Sequence, residues 1–197
     1  MTDSRSQQTY QVRLGWGADG LERLATSGIV VVVDAVAGPD AVAGADAVAG
    51  ATGVDGGGSS AAERLAARAA ALQHGPTVYL GSLRNATATA RAVYEEQIAR
   101  GGRTSINLVL VGDGGGFAVE DYLAAGAIAD ALTTLGIDHS APDVAVAAEG
   151  FRPLKRAVKH LFAASAAGQE LKAAGHGHAA KAAAELDADG EAIRFGA

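Results

Sequence analysis

Three short runs, Ile29 to Val33 (IVVVV), Thr77 to Leu80 (TVYL) and Ile106 to Val111 (INLVLV), constrain this chain more than any other feature. Each is rich in β-branched residues or leucine, almost unbroken in apolar character, and bounded by Gly, Asp or Ser. A strand with one wet face alternates polar and apolar residues, whereas a strand covered on both faces does not. These runs therefore predict central strands of a sheet with helices on both sides. Tyr10 to Trp16 alternates more and is a fourth candidate, and Ile193 to Phe195 is a candidate last edge strand. Helical patterns fill the intervals: Ser59 to Gln73, Ala86 to Arg100 with Asn85 as its N-cap, and Ala118 to Leu135. From Ala141 onward the chain reads mainly as helix, broken at Pro153, Gly168 and Gly175. Strand and helix alternate, so the expected fold is a three-layer α/β/α arrangement with a largely parallel sheet and a helical C-terminal part. Residues 1–197 suffice for one domain.

The core must be built from small side chains, because the chain holds 47 alanines and 27 glycines while aromatics make up 5%. Residues 35–52 read AVAGPD-AVAGAD-AVAGAT, too few rungs and too small inward residues for a solenoid. Glycine at regular positions disfavours helix and strand alike. Residues 35–58 are therefore expected to be an irregular low-complexity segment. The net charge of −6, without a basic run, gives no electrostatic footprint for nucleic acid. The N-terminus is polar, no apolar run approaches a membrane span, and there is no cysteine. No membrane partner is expected, and a cytoplasmic location is.

Ligands of open parallel sheets bind at the carboxyl ends of the strands. Asp34 stands at the first such end, Gly81-Ser82-Leu83-Arg84-Asn85 at the second, and at the third Gly112-Asp113, the three glycines Gly114 to Gly116 and the pair Glu120-Asp121. Oxygen ligands drawn from separate loops are what Mg²⁺ takes, usually one or two carboxylates with water and substrate oxygens. Asp34 and Glu120 are the candidate metal ligands, and Glu120 and Asp121 the candidate catalytic acids. Neighbouring helical residues point roughly 100° apart. One of the pair is therefore expected to ligate while the other caps or orients. The plainer alternatives are that Asp34 caps the next element and that the pair only complements a helix dipole. Gly58, Ser59 and Ser60 precede a helix and could cradle phosphate on N–H and hydroxyl groups, the alternative being a linker with a serine cap. His176 and His178 are two apart and share no helix face, so a metal site there is weak.

The segments VRLGWG, IVVVVD, VYLGSLRNATATARAV and GFAVEDYLAAGAIADAL, in that order, with the closing SAAGQELKAAGHGHAAKAAAELD, resemble the 2-phosphosulfolactate phosphatase family. The resemblance implies an α/β fold and Mg²⁺-dependent removal of phosphate from 2-phospho-3-sulfolactate or a related small phosphorylated acid. It implies that Asp34 is the family's strand-end aspartate, Asn85 its asparagine after the GSL turn, and Glu120 and Asp121 its acidic helix start. Gly58, Ser59 and Ser60 stand where the family has an Asn-Gly-Ser/Thr loop. The chain also departs from the family. After Asp34 it reads Ala35-Val36-Ala37-Gly38-Pro39 in place of an arginine-bearing helix start, and Gly168-Gln169 replaces a typical Gly-Arg. Arg84 and Arg152 are the cations offered in their stead, Arg84 as a phosphate ligand. The expected partner is a small phosphorylated metabolite, with a homodimer left open. The alternative to a phosphatase is a catalytically impaired member that binds an anionic or phosphorylated metabolite.

Overall fold

A computed structural model describes residues 4–36 and 59–196. Five strands form one sheet: β1 Val12–Trp16, β2 Ile29–Val33, β3 Thr77–Gly81, β4 Ile106–Leu110 and β5 Ile193–Arg194. Their order is β1-β4-β2-β3-β5, parallel throughout except for β5, which runs antiparallel to β3. The expected α/β/α layering is present. On one face of the sheet lie α1 (Gly17–Arg23) and α2 (Ala61–Ala70). On the other lie α3 (Ala86–Ala99), α4 (Val119–Thr134) and α5 (Pro142–Leu154), followed by α6 (Val158–Ala164), α7 (Ala166–Ala173) and α8 (Gly177–Ala183).

The period of two along a strand accounts for both cores. Ile29, Val31 and Val33 of β2 join Leu123, Ile128 and Phe151 beneath α4 and α5, while Val30 and Val32 join Leu21, Leu65 and Ala66 beneath α1 and α2. All five β2 side chains are buried, which is why the run carries no polar alternation. Asn107 interrupts the β4 run because its Nδ2 donates to the Ala25 carbonyl at 3.0 Å. Beside it on β1 is buried Arg13, which donates to the Tyr10 carbonyl at 2.9 Å and to the Ala25 carbonyl at 2.8 Å. Burial lowers the pKa of that guanidinium.

Small residues set how closely the layers approach. A Cβ added to Gly126 of α4 would lie 2.4 Å from the Ala147 carbonyl oxygen of α5, so only glycine permits this helix contact. The outer edge of β1 is closed by main chain at Val12, whose carbonyl accepts the Ala141 N–H at 2.8 Å, and by a side chain at Leu14. Gln7 Nε2 donates to the Leu14 carbonyl at 3.0 Å, and Gln7 Oε1 accepts the Leu14 N–H at 3.0 Å.

Several local expectations need correction. Helix α1 was not foreseen, since a glycine start and two internal turns of small residues carry no periodic signal. Gly168 does not break the helical C-terminal part. It lies inside α7, where a Cβ would meet the Phe162 carbonyl oxygen at 2.0 Å, and the break is at Ser165, which caps α7. Asn85 precedes α3 without a side-chain cap bond. The low-complexity segment, apart from Ala35 and Val36, lies outside the described residues, as does Gly58. Among the described residues no helix is long and apolar enough to cross a membrane.

Candidate active site at the carboxyl edge of the sheet

Strand β2 ends in Asp34, whose Oδ1 accepts the Val36 N–H at 2.9 Å and turns the chain away from the sheet. Strand β4 ends one position from Gly112, which adopts φ +69°; a Cβ there would lie 2.1 Å from the Gly116 carbonyl oxygen. Gly115 in turn approaches Gly17 so closely that a Cβ on Gly17 would lie 2.9 Å from its Cα. The glycines after β4 thus have a conformational reason of their own: the loop folds back on itself and against the start of α1. The chain then enters α4 with Glu120 and Asp121, both buried.

The geometry divides this acidic pair. Asp121 Oδ1 accepts the Ala35 N–H at 2.8 Å and Oδ2 accepts the Gly112 N–H at 2.8 Å. One carboxylate therefore fastens the loop after β2 to the loop after β4. Burial pushes the Asp121 carboxyl up to about 8, and the nearby Asp34 charge pushes the same way. The two N–H donors pull it down, and Glu120 adds a smaller upward push. Glu120 is 5% exposed and makes no hydrogen bond among the described residues. Its carboxylate oxygens are not among the fully buried side-chain atoms that lack a partner, so they keep access to solvent and to a ligand.

The other expected residues are placed as follows. Asn85 is buried in the turn after β3, where Oδ1 accepts the Ser82 N–H at 2.8 Å and Nδ2 donates to the Leu80 carbonyl at 3.1 Å. Its amide holds that turn in shape. Arg84 is committed to the C-terminal segment. It forms a bidentate pair with Asp189 at 2.8 and 2.7 Å and donates to the Ala182 carbonyl at 2.8 Å. The fold thus uses Arg84 as an internal tie in place of the phosphate ligand expected from sequence. Arg152 is likewise paired, with Asp130 and Glu149. Ser60 is the N-cap of α2 in a reciprocal box with Glu63, accepting the Glu63 N–H at 3.1 Å. Its hydroxyl keeps its own proton for donation. Ser59 is exposed just before it.

Among the described residues no three His, Asp or Glu side chains gather into a metal cage. The carboxyl edge instead offers Asp34 and Glu120 beside an Asp121 on which both acting charges are negative. Asp34 and Glu120 are hard oxygen donors of the kind Mg²⁺ takes, and that ion needs only one or two carboxylates from a protein. Sequence reasoning passed over Arg64 and Arg68 on α2. Their four-residue spacing immediately after a glycine-serine loop was the available signal, since it sets both on one face of a helix starting at the sheet edge.

A family model described as 2-phosphosulpholactate phosphatase matches residues 62–190, about two thirds of the chain. The chain belongs to the 2-phosphosulpholactate phosphatase family. The matched range contains Arg84, Asn85, Glu120 and Asp121, and it begins after Asp34, Ser59 and Ser60. For the 2-phosphosulpholactate phosphatase family this places the α4 acids within the shared part. The residues that complete the carboxyl edge lie in front of it. No curated protein matches the chain.

Proposed function

We propose that this chain is a Mg²⁺-dependent phosphatase that hydrolyses a small phosphorylated acid such as 2-phosphosulfolactate. The observation that carries the reading is the carboxyl edge itself: Asp34 and Glu120 both act on buried Asp121, and Glu120 offers a solvent-reaching carboxylate with no hydrogen bond among the described residues. Family membership supplies the reaction class. The reaction joins water to phosphorus, breaks the ester P–O bond and releases an alcohol and inorganic phosphate.

Asp34 and Glu120 are the residues to hold the metal. When bound, Mg²⁺ supplies Lewis-acid polarisation of the phosphoryl group and offsets its charge. Glu120 accepts a proton from the attacking water, a role that needs a carboxylate not already engaged by donors. Asp121 is the positioning residue, because both its oxygens hold the loops that carry Asp34 and Gly112. Ser59 and Ser60 donate hydroxyl protons to phosphate oxygens at the start of α2.

One observation favours the binding-only alternative: Arg84, expected as a phosphate ligand, is spent on Asp189. A lost charged hydrogen bond costs about 1.5–3 kcal/mol, which in a transition state is roughly one to two orders of magnitude in rate. Slow turnover is therefore expected. The test is a screen of small phosphomonoesters with Mg²⁺ and with EDTA, on wild type and Glu120→Gln. Metal-dependent turnover lost in the variant supports the phosphatase. Binding of phosphorylated acids without any turnover establishes the alternative, and equal turnover in EDTA removes the metal.

A further inference from the structure

Beside the acids, the start of α2, the loop after β4 and the start of α1 enclose a hollow of about 350 Å³. Among the described residues its charged lining consists of Arg64 and Arg68. The facing wall is backbone from Gly112, Gly114 and Gly115. Arg68 shares its charge with Glu22, and Arg64 adds a second cation, in a chain of net charge −6, near the loop that Asp121 holds. The two regions share one residue: Gly112 lines the hollow and gives its N–H to Asp121 at 2.8 Å.

We propose that Arg64 and Arg68 form a clamp for the non-reacting anionic group, a carboxylate or sulfonate, of the substrate. The proposal rests on the phosphatase reading for the other end of that molecule. Among the described residues none of the candidate acids lines the hollow, and Gly112 joins it to Asp121, so it is assigned to the non-reacting end of the substrate. Guanidinium groups one helical turn apart match planar or tripodal oxyanions with paired N–H donors. The volume lies at the small end of ligand sites, which suits a three-carbon acid. Neither arginine is locked by its present contacts. Arg64 donates to the Ser59 carbonyl, and Arg68 pairs with Glu22, the Arg68 and Glu22 side chains being 53% and 59% exposed. Exposed pairs of this kind contribute little and exchange readily for a more highly charged partner.

The test is equilibrium binding of 2-phosphoglycolate, which carries a carboxylate, and of ethyl phosphate, which does not. Both are titrated into wild type, Arg64→Gln and Arg68→Gln with Mg²⁺ present. The expected result is a weakening of 2-phosphoglycolate binding by about ten-fold or more in each variant, with ethyl phosphate changed less than about two-fold. Arg64→Lys and Arg68→Lys should recover part of the loss. Unchanged 2-phosphoglycolate binding overturns the clamp, as does equal weakening for both ligands or the absence of 2-phosphoglycolate binding in wild type. Turnover is read separately. Arginine-dependent binding without hydrolysis keeps the clamp and removes the phosphatase. Hydrolysis indifferent to both arginines keeps the phosphatase and removes the clamp.

Discussion

Asp121 accepts the N–H of Ala35 at 2.8 Å across 86 positions of sequence. With the matching bond from Gly112, it makes the register of two loops depend on one side chain. Asp121→Asn keeps the shape but presents an NH₂ group to one of those N–H donors. One bond must break and one buried donor is left unmet. The expected cost is about 1–3 kcal/mol, read from urea unfolding. A variant as stable as wild type would show that the loops are held by other contacts.

The same carboxyl gives a pH dependence. Its pKa is raised from 3.8 to about 8 in the folded chain, so the folded state holds the proton more tightly than the unfolded state. Stability from this group is complete below about pH 4 and is lost as pH rises through about 8, with a slope of at most about 1.4 kcal/mol per pH unit. In EDTA, unfolding midpoints for wild type minus Asp121→Asn should therefore fall between pH 5 and pH 8.5. Asp34→Asn removes the second-largest upward push while its Oδ1 can still accept the Val36 N–H, so the fall should move to lower pH. The same variant should bind Mg²⁺ more weakly by calorimetry. A difference flat in pH would mean that Asp121 is already ionised at acidic pH.

Glu120→Gln separates function from fold. With no hydrogen bond to lose among the described residues and one negative charge removed beside Asp121, the variant should be at least as stable as wild type. Turnover of small phosphomonoesters should drop by at least about a hundred-fold, since an amide cannot take the proton from water. Retained turnover would remove Glu120 from the chemistry.

How much of this could be read from sequence follows from what each feature depends on. Ile29–Val33 matches its expected bounds because burial on both faces leaves an unbroken apolar run. Helix α4 starts one residue later than expected, at Val119, because the glycine loop marks its entry plainly. Arg84 was misread because its partner, Asp189, is 105 positions away. Asn85 was misread because its amide folds back on Ser82 instead of capping α3, a choice made by the turn and not by the residue type. Arg64 and Arg68 were missed because nothing in the sequence says that α2 begins against the loop following β4.

Arg84→Ala tests the internal tie directly. Arg84 is buried and Asp189 is partly exposed, so the loss should be about 2–3 kcal/mol, between exposed and fully buried pairs. Proteolysis should then nick the region after Ala182 first, since that carbonyl also loses its donor. Unaltered thermal stability would be the outcome at odds with the tie.

Gln7 lies against the open side of β1 with its side-chain amide in the place of a neighbouring strand. Sheets grow by borrowing strands at their borders, and an unguarded border invites a second chain. Here any such recruit must first evict Gln7 from Leu14, and with it the bond from Gln7 to Asp143. A dimer built by running two sheets together along β1 is thereby disfavoured. With the 139–141 segment paired to Val12, this glutamine serves the margin of the fold as a selvedge, keeping woven backbone from unravelling into its neighbours.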